Sequence, residues 1–310
     1  MTDHRFVVGL RLDDPAAPAE IAWHRRTALR AESAGFDFVL IDDAYAGGGH
    51  GVGLDPVMLA ARIAAATSRI GVIAAATTTF AEPLVISSGL ATLDHLSDGR
   101  AGWLVITSPT AAQAELHGAG TRPEAELWEE AGEVVDVVGR LWDSWEDDAV
   151  IRDVSTGRYL DRRRLHRVGY AGSAFSIEGP SITPRPPQGH PVVAVRADSG
   201  GDGVIAQADV IIIDVDPAAP IHTITRRVDE VVARSGRRRH LIRVLGELPA
   251  GGAEGVDRLA GSGALDGVIL PVDGEPARRD SALPPRATLR ERFGLARPAN
   301  RYATGRSAAP

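Results

Sequence analysis

Residues 64–108, AAATSRIGVIAAATTTFAEPLVISSGLATLDHLSDGRAGWLVITS, constrain this chain more than any other stretch, because they hold a strand, a helix and a second strand in sequence. Ile70 to Ala76 is a continuous apolar run, the pattern of a strand buried on both faces of a parallel sheet. It ends in Thr77, Thr78 and Thr79. Pro83 opens a helical segment that reaches Leu96, Asp98-Gly99 breaks it, and Ala101 to Ile106 returns as another buried strand. This is one βαβ unit, with hydroxyls at the strand end where α/β barrels place ligands.

The same alternation runs through the rest of the chain. Phe6 to Leu12 and Phe38 to Ile41 read as strands one and two, with helices over Pro18 to Ser33 and Leu54 to Thr67. Glu124 to Trp145 is the strongest helix, with Leu127, Ala131, Val134, Val135, Val138, Leu141 and Trp142 at helical spacing. Pro191 to Val195, Asp209 to Val215, His240 to Leu245 and Gly267 to Pro271 supply strands five to eight. Eight strands alternating with helices in 310 residues predict a closed (β/α)8 TIM barrel, with an open doubly wound sheet as the rival. One barrel domain over residues 1–310 is expected, with 303–310 as a disordered tail. Residues 147–190 break the alternation. They are rich in Arg, Gly and Pro with a weak strand signal at Phe175-Ser176-Ile177, and read as an insertion near the barrel mouth or a surface appendage.

Several chemistries fall away on composition. The chain has no cysteine and no lysine, so all 34 cationic side chains are arginine. Disulfides, thiolate nucleophiles, Schiff bases and a Walker lysine are excluded together. A net charge of −7 without a basic block argues against nucleic acid, and Arg237-Arg238-Arg239 reads as a solvated turn. No membrane span and no signal-peptide layout is visible, so a soluble cytoplasmic protein is expected. Nine histidines form no HExxH, and no metal site is expected. There is no GxSxG elbow, and GGGHGVG at 47–53 does not satisfy GxGxxG and reads as a loop. Asp42-Asp43 ends strand two on the functional face, where one carboxylate could contact a ligand or cap a turn.

Six segments carry a family resemblance: GFDFVLIDDA, ATSRIGVIAAATTTFAEP, ATLDHLSDGRAGWLVITS, LWDSWEDDAVIRD, FSIEGP with PRPPQGHPVV, and LRERFGLARPANRYA. Together they resemble the bacterial-luciferase-like flavin monooxygenases, in the branch of the nitrilotriacetate and dibenzothiophene-sulfone monooxygenases. The resemblance implies a barrel that takes reduced FMN from a separate NAD(P)H-dependent flavin reductase and uses oxygen to oxygenate a small organic molecule. It also implies a homodimer or higher homo-oligomer, and it names no substrate. The flavin carries the chemistry, while the protein orients substrate and excludes water.

Carried over residue by residue, the resemblance assigns cofactor binding to Asp43 after strand two, Thr77 after strand three, and Ser199 with Gly200 in VVAVRADSGGDG, where the family holds the FMN phosphate. Departures accompany these matches. Leu104 in WLVITS replaces the family's Asn, and the helix that should begin with His and, four residues on, Tyr has Glu124 and Trp128. Trp128 is retained as a cofactor contact, and Glu124 is the one candidate acid–base residue. Asp198 and Asp202 put negative charge beside the expected phosphate, and the helix after Ser199 reads short. A second reading follows: a luciferase-like barrel that has lost tight FMN binding and serves as a noncatalytic subunit or binds another ligand, a deazaflavin included.

Overall fold

The computed structural model describes residues 5–12, 20–43, 53–272 and 286–303. Eight parallel strands close into a barrel: β1 (Val7–Arg11), β2 (Phe38–Ile41), β3 (Gly71–Thr77), β4 (Ala101–Ile106), β5 (Val192–Arg196), β6 (Val210–Asp214), β7 (Arg243–Glu247) and β8 (Gly267–Leu270). Their order around the barrel is β1-β8-β7-β6-β5-β4-β3-β2, closed by β1 pairing with β8 (Val7 opposite Gly267) and with β2 (Gly9 opposite Phe38). The expected (β/α)8 barrel is the observed fold. The α-helices among the described residues are α1 (Ile21–Ser33), α2 (Pro56–Ala64), α3 (Pro83–Leu96), α4 (Ala111–Leu116), α5 (Glu124–Asp143), α6 (Asp202–Ile205), α7 (Ile221–Ser235), α8 (Val256–Ser262) and α9 (Leu289–Arg292).

Strand residues alternate between two apolar clusters. One set, including Phe38, Leu40, Ile73, Ala75, Leu104, Ala194, Ile212 and Leu245, fills the barrel interior. The other, including Val39, Val72, Trp103 and Val195, packs outward against the helices. This two-sided burial is why the strands read as continuous apolar runs rather than as alternating ones. Gly9 is needed here because a Cβ on it would lie 2.2 Å from Cζ of Phe38.

The N-terminal end of the barrel is sealed. Leu289, Phe293 and Leu295, in and after α9, join the interior cluster. Arg243 donates to the Phe293 carbonyl at 2.5 Å, and Arg290 bonds Asp209 at 2.5 Å. Arg100 is likewise buried and donates to the carbonyls of Ile70 (2.6 Å), Ala64 and Thr67 (both 3.1 Å). The planar arginine fork suits such multiple carbonyl contacts, which gives the lysine-free composition a structural counterpart at this end. With that end closed, ligand access is left to the C-terminal mouth, the functional face of such barrels.

Helix α5 buries the stripe its spacing predicts, from Leu127 to Trp142, against this chain's own barrel layer, and Trp142 Nε1 donates to the Ser87 carbonyl at 3.1 Å. The segment 147–190 forms two short hairpins, Val150–Asp153 with Arg158–Leu160 and Tyr170–Ala171 with Ser176–Ile177. The second lies along the outer side of α5, where Ser173 N–H donates to Glu133 Oε1 at 3.1 Å. The 47–53 glycine loop, apart from Gly53, and residues 304–310 fall outside the described residues.

Candidate active site

Charged residues terminate the apolar runs of β1, β5 and β7, and strand alternation turns them toward the barrel axis above the apolar interior. Glu247 Oε1 accepts from Arg11 Nη1 at 2.5 Å, and Glu247 Oε2 accepts from Arg196 Nε at 2.9 Å. Arg196 Nη2 reaches across to Asp42 Oδ2 at 2.6 Å, just past β2. Four side chains from four strands thus form one ion network at the mouth. Glu247 is 5% exposed and Arg196 25%. Burial pushes the Glu247 carboxyl up, but hydrogen bonds and charge from Arg196 and then Arg11 outweigh it and hold it below its ordinary value of 4.5. Burial likewise disfavours the Arg196 cation, yet Glu247 and Asp42 keep it charged well above the ordinary arginine range.

Of the Asp42-Asp43 pair, it is Asp42 that enters this network, while the Asp43 N–H donates to Asp42 Oδ1 at 3.0 Å. On the other side of the mouth Thr77 Oγ1 and Ser108 Oγ share a hydrogen bond of 2.8 Å, and Thr79 Oγ1 accepts from Ser108 N–H at 2.9 Å. Leu104 does not face this polar layer. It is fully buried in the apolar barrel interior.

The remaining candidates gather elsewhere. Glu124, Trp128, Ser199 and Gly200 line one open cavity of about 960 Å³ between α5 and the loop after β5. Trp128 Nε1 points at Glu124 Oε1, 3.4 Å away. Ser199 is exposed, whereas the Gly200 N–H is already spent on the Arg196 carbonyl at 2.8 Å. The loop lies hard against α5, since a Cβ on Gly201 would be 2.6 Å from Cβ of Trp128.

The cavity carries six carboxylates, on Glu124, Glu129, Glu133, Asp136, Asp198 and Asp202, and no arginine or histidine among its described lining residues. Asp198 is paired with Arg227 (2.6 Å), Asp202 with Arg234 (2.9 Å) and Asp136 with Arg140 (2.7 Å). Glu124, Glu129 and Glu133 have no arginine partner among the described residues. A phosphate dianion about 6 Å from one such carboxylate is repelled by about 5 kcal/mol at the effective dielectric of ~20 suited to near-surface charges. The helix dipole offers little in return, because α6 is a single turn that begins with Asp202. The residues present do not fit an FMN phosphate.

Arg196 and Glu247 escape the sequence reading because they lie beyond the strand ends it assigns at Val195 and Leu245, and Arg11 because it is a single charged residue inside the strand Phe6 to Leu12. The signal was there: a charged residue two positions beyond an inward apolar one, as in Leu245 and Glu247, keeps the same side of the strand.

A profile of the luciferase-like monooxygenases matches residues 5–251. The chain belongs to the luciferase-like monooxygenase family. Its enzyme class is that of the FMN-dependent monooxygenases. This luciferase-like chain is 36% identical over 295 residues to component B of the pristinamycin IIA synthase of Streptomyces pristinaespiralis, one of that enzyme's named subunits, covering 94% of this chain and 95% of that one. Component A of the same synthase is 34% identical over 234 residues, covering 71% of this chain and 51% of its own length. Nitrilotriacetate monooxygenase component A of Aminobacter aminovorans is 42% identical over 151 residues, covering 48% of this chain but only 33% of its own length. The fold of EDTA monooxygenase from Chelativorans sp. BNC1 superposes with a TM-score of 0.77 at 20% identity, covering 95% of this chain and 99% of that one. No helix among the described residues is long and apolar enough to cross a membrane.

Proposed function

We propose that this luciferase-like chain is one half of a two-chain flavin monooxygenase, built with a companion barrel of the same family. The assembly takes reduced FMN from a separate NAD(P)H-dependent reductase and uses oxygen to oxygenate a small organic molecule. One observation carries this reading: the match to pristinamycin IIA synthase component B runs almost end to end in both chains, whereas the nitrilotriacetate enzyme is matched over a third of its length. That synthase also has a component A to which this chain is similar, so two barrels of one family are named within one enzyme.

The geometry favours this shared role over a self-sufficient oxygenase. A self-sufficient barrel needs an anion cradle at Ser199, and the cavity there is lined by carboxylates. The mouth keeps a polar rim of Thr77, Ser108, Asp42 and Arg196, which suits a face that positions or shields polar groups.

The test is reconstitution. This chain, a companion resembling the synthase's component A, and the two together are each supplied with FMN, NADH, a flavin reductase and oxygen, and peroxide release is followed. A flavin-oxygenating assembly protects its bound flavin from simple autoxidation, so only the mixture should slow peroxide release. Equal rates with and without this chain would contradict the proposal.

A further inference from the structure

We infer that this barrel does not itself carry the flavin, so that an assembly with its companion holds one flavin for every two barrels. The stoichiometry rests on the two-chain reading. The statement about this barrel does not.

Two independent features of the molecule carry it. The first is the cavity beside Ser199, where a phosphate would meet Glu124 and Glu129, both exposed and without arginine partners among the described residues. The arginines nearest the loop are committed: Arg227 binds both Asp198 oxygens at 2.6 and 2.7 Å, and Arg234 binds Asp202 at 2.9 Å and the Gly200 carbonyl at 3.2 Å. A Cβ on Gly200 would lie 2.6 Å from the Arg196 carbonyl, so the loop folds back on its own strand rather than around an anion.

The second feature is the mouth itself. Ligands of barrel enzymes rest on the C-terminal ends of the strands, and here that floor is occupied by Arg196, clasped between Asp42 and Glu247, with Arg11 on the far side of Glu247. Within this network of described residues two cations and two anions cancel, so the network itself offers no net positive charge to an anionic reduced flavin. Arg196 is the link between the two features, because its side chain closes the mouth network while its backbone carbonyl closes the loop onto Gly200.

The experiment is calorimetry of the full chain alone with oxidised FMN, anaerobically reduced FMN, riboflavin and inorganic phosphate. No saturable binding is expected up to about 1 mM of any probe. A Glu124→Gln/Glu129→Gln variant, altered only at exposed positions, should gain at least about tenfold in FMN affinity without gaining for riboflavin, since only the phosphate senses those charges. Micromolar binding of reduced FMN by the unaltered chain, abolished by Ser199→Asp, would overturn the inference. So would a double variant that gains nothing. In the two-chain assembly, one flavin per pair is expected, and two per pair would overturn the inference while leaving the proposed function standing. If no assembly forms, the proposed function fails, and the titration of this chain alone still decides the inference.

Discussion

Arg196 Nη2 lies 2.6 Å from Asp42 Oδ2 and thereby joins the ends of two strands that stand three places apart around the barrel. The bond crosses the mouth rather than following the sheet, so Arg196 fastens the functional face from within. It also shares Glu247 with Arg11, which makes the four residues one unit rather than separate pairs.

Removing one member therefore strands the others. Arg196→Ala leaves Glu247, 5% exposed, with Arg11 as its remaining partner in the network. Loss of a partner from a buried pair costs about 3–5 kcal/mol, and the partial exposure of Arg196 reduces that to about 2–3. Urea unfolding should show this loss, and a double-mutant cycle with Asp42→Ala should give a coupling energy of about 1 kcal/mol or more. Strictly additive effects would mean that the two side chains do not interact.

The same network predicts an acid sensitivity. The folded-state pKa of Glu247 lies below 4.5, so between that value and 4.5 the unfolded chain binds the more protons. The stabilisation is complete above about 4.5 and is lost as pH falls through the folded value. Asp94, which burial holds above 3.8 despite hydrogen bonds from Gln188 and Ala101, acts in the opposite sense and is untouched by a change at Glu247. Melting temperatures measured from pH 6 to pH 3 should fall less steeply for Glu247→Gln than for the parent chain, from a lower starting point. Parallel curves would contradict this assignment.

Restoring the family's amide at position 104 should not restore flavin binding. Leu104 is fully buried among Ala75, Ala194 and other interior residues, so an Asn there places an amide in an apolar layer. The expected cost is about 2–4 kcal/mol of stability. Flavin fluorescence titration of Leu104→Asn should show no gain in FMN affinity, and a clear gain would place this residue on the ligand side.

Gly201 is fixed by contact rather than by chain flexibility. A Cβ there would lie 2.6 Å from Cβ of Trp128 on α5, a distance that forces backbone movement. Gly201→Ala should cost about 1–3 kcal/mol and should raise hydrogen exchange in the loop at 198–203 relative to the barrel strands. Unchanged stability would show that the loop is free to lift from α5.

The barrel was legible because its strands are buried on both faces. Their apolar runs, such as Ile70 to Ala76, are hard to mistake when they alternate with a helix as regular as α5. The site was less legible for a related reason. Reading β5 as ending at Val195 and β7 at Leu245 treats the next charged residue as loop, yet those strands run on to Arg196 and Glu247, which form the mouth network. Carry-over from the family located Thr77 at the mouth and Ser199, Gly200, Glu124 and Trp128 around a shared cavity, but carboxylates brought together from α5 and the loop are invisible to any single motif. The seal formed by α9 was missed because Leu289, Phe293 and Leu295 show too short a pattern to declare a buried element.

The central claim is that this chain works as one of two different barrels. The most direct measurement is the native mass of the particle formed when it is co-expressed with a companion resembling component A of the pristinamycin IIA synthase. A complex containing both chains in equal number is predicted. Two separate populations, each containing one kind of chain, would contradict the account.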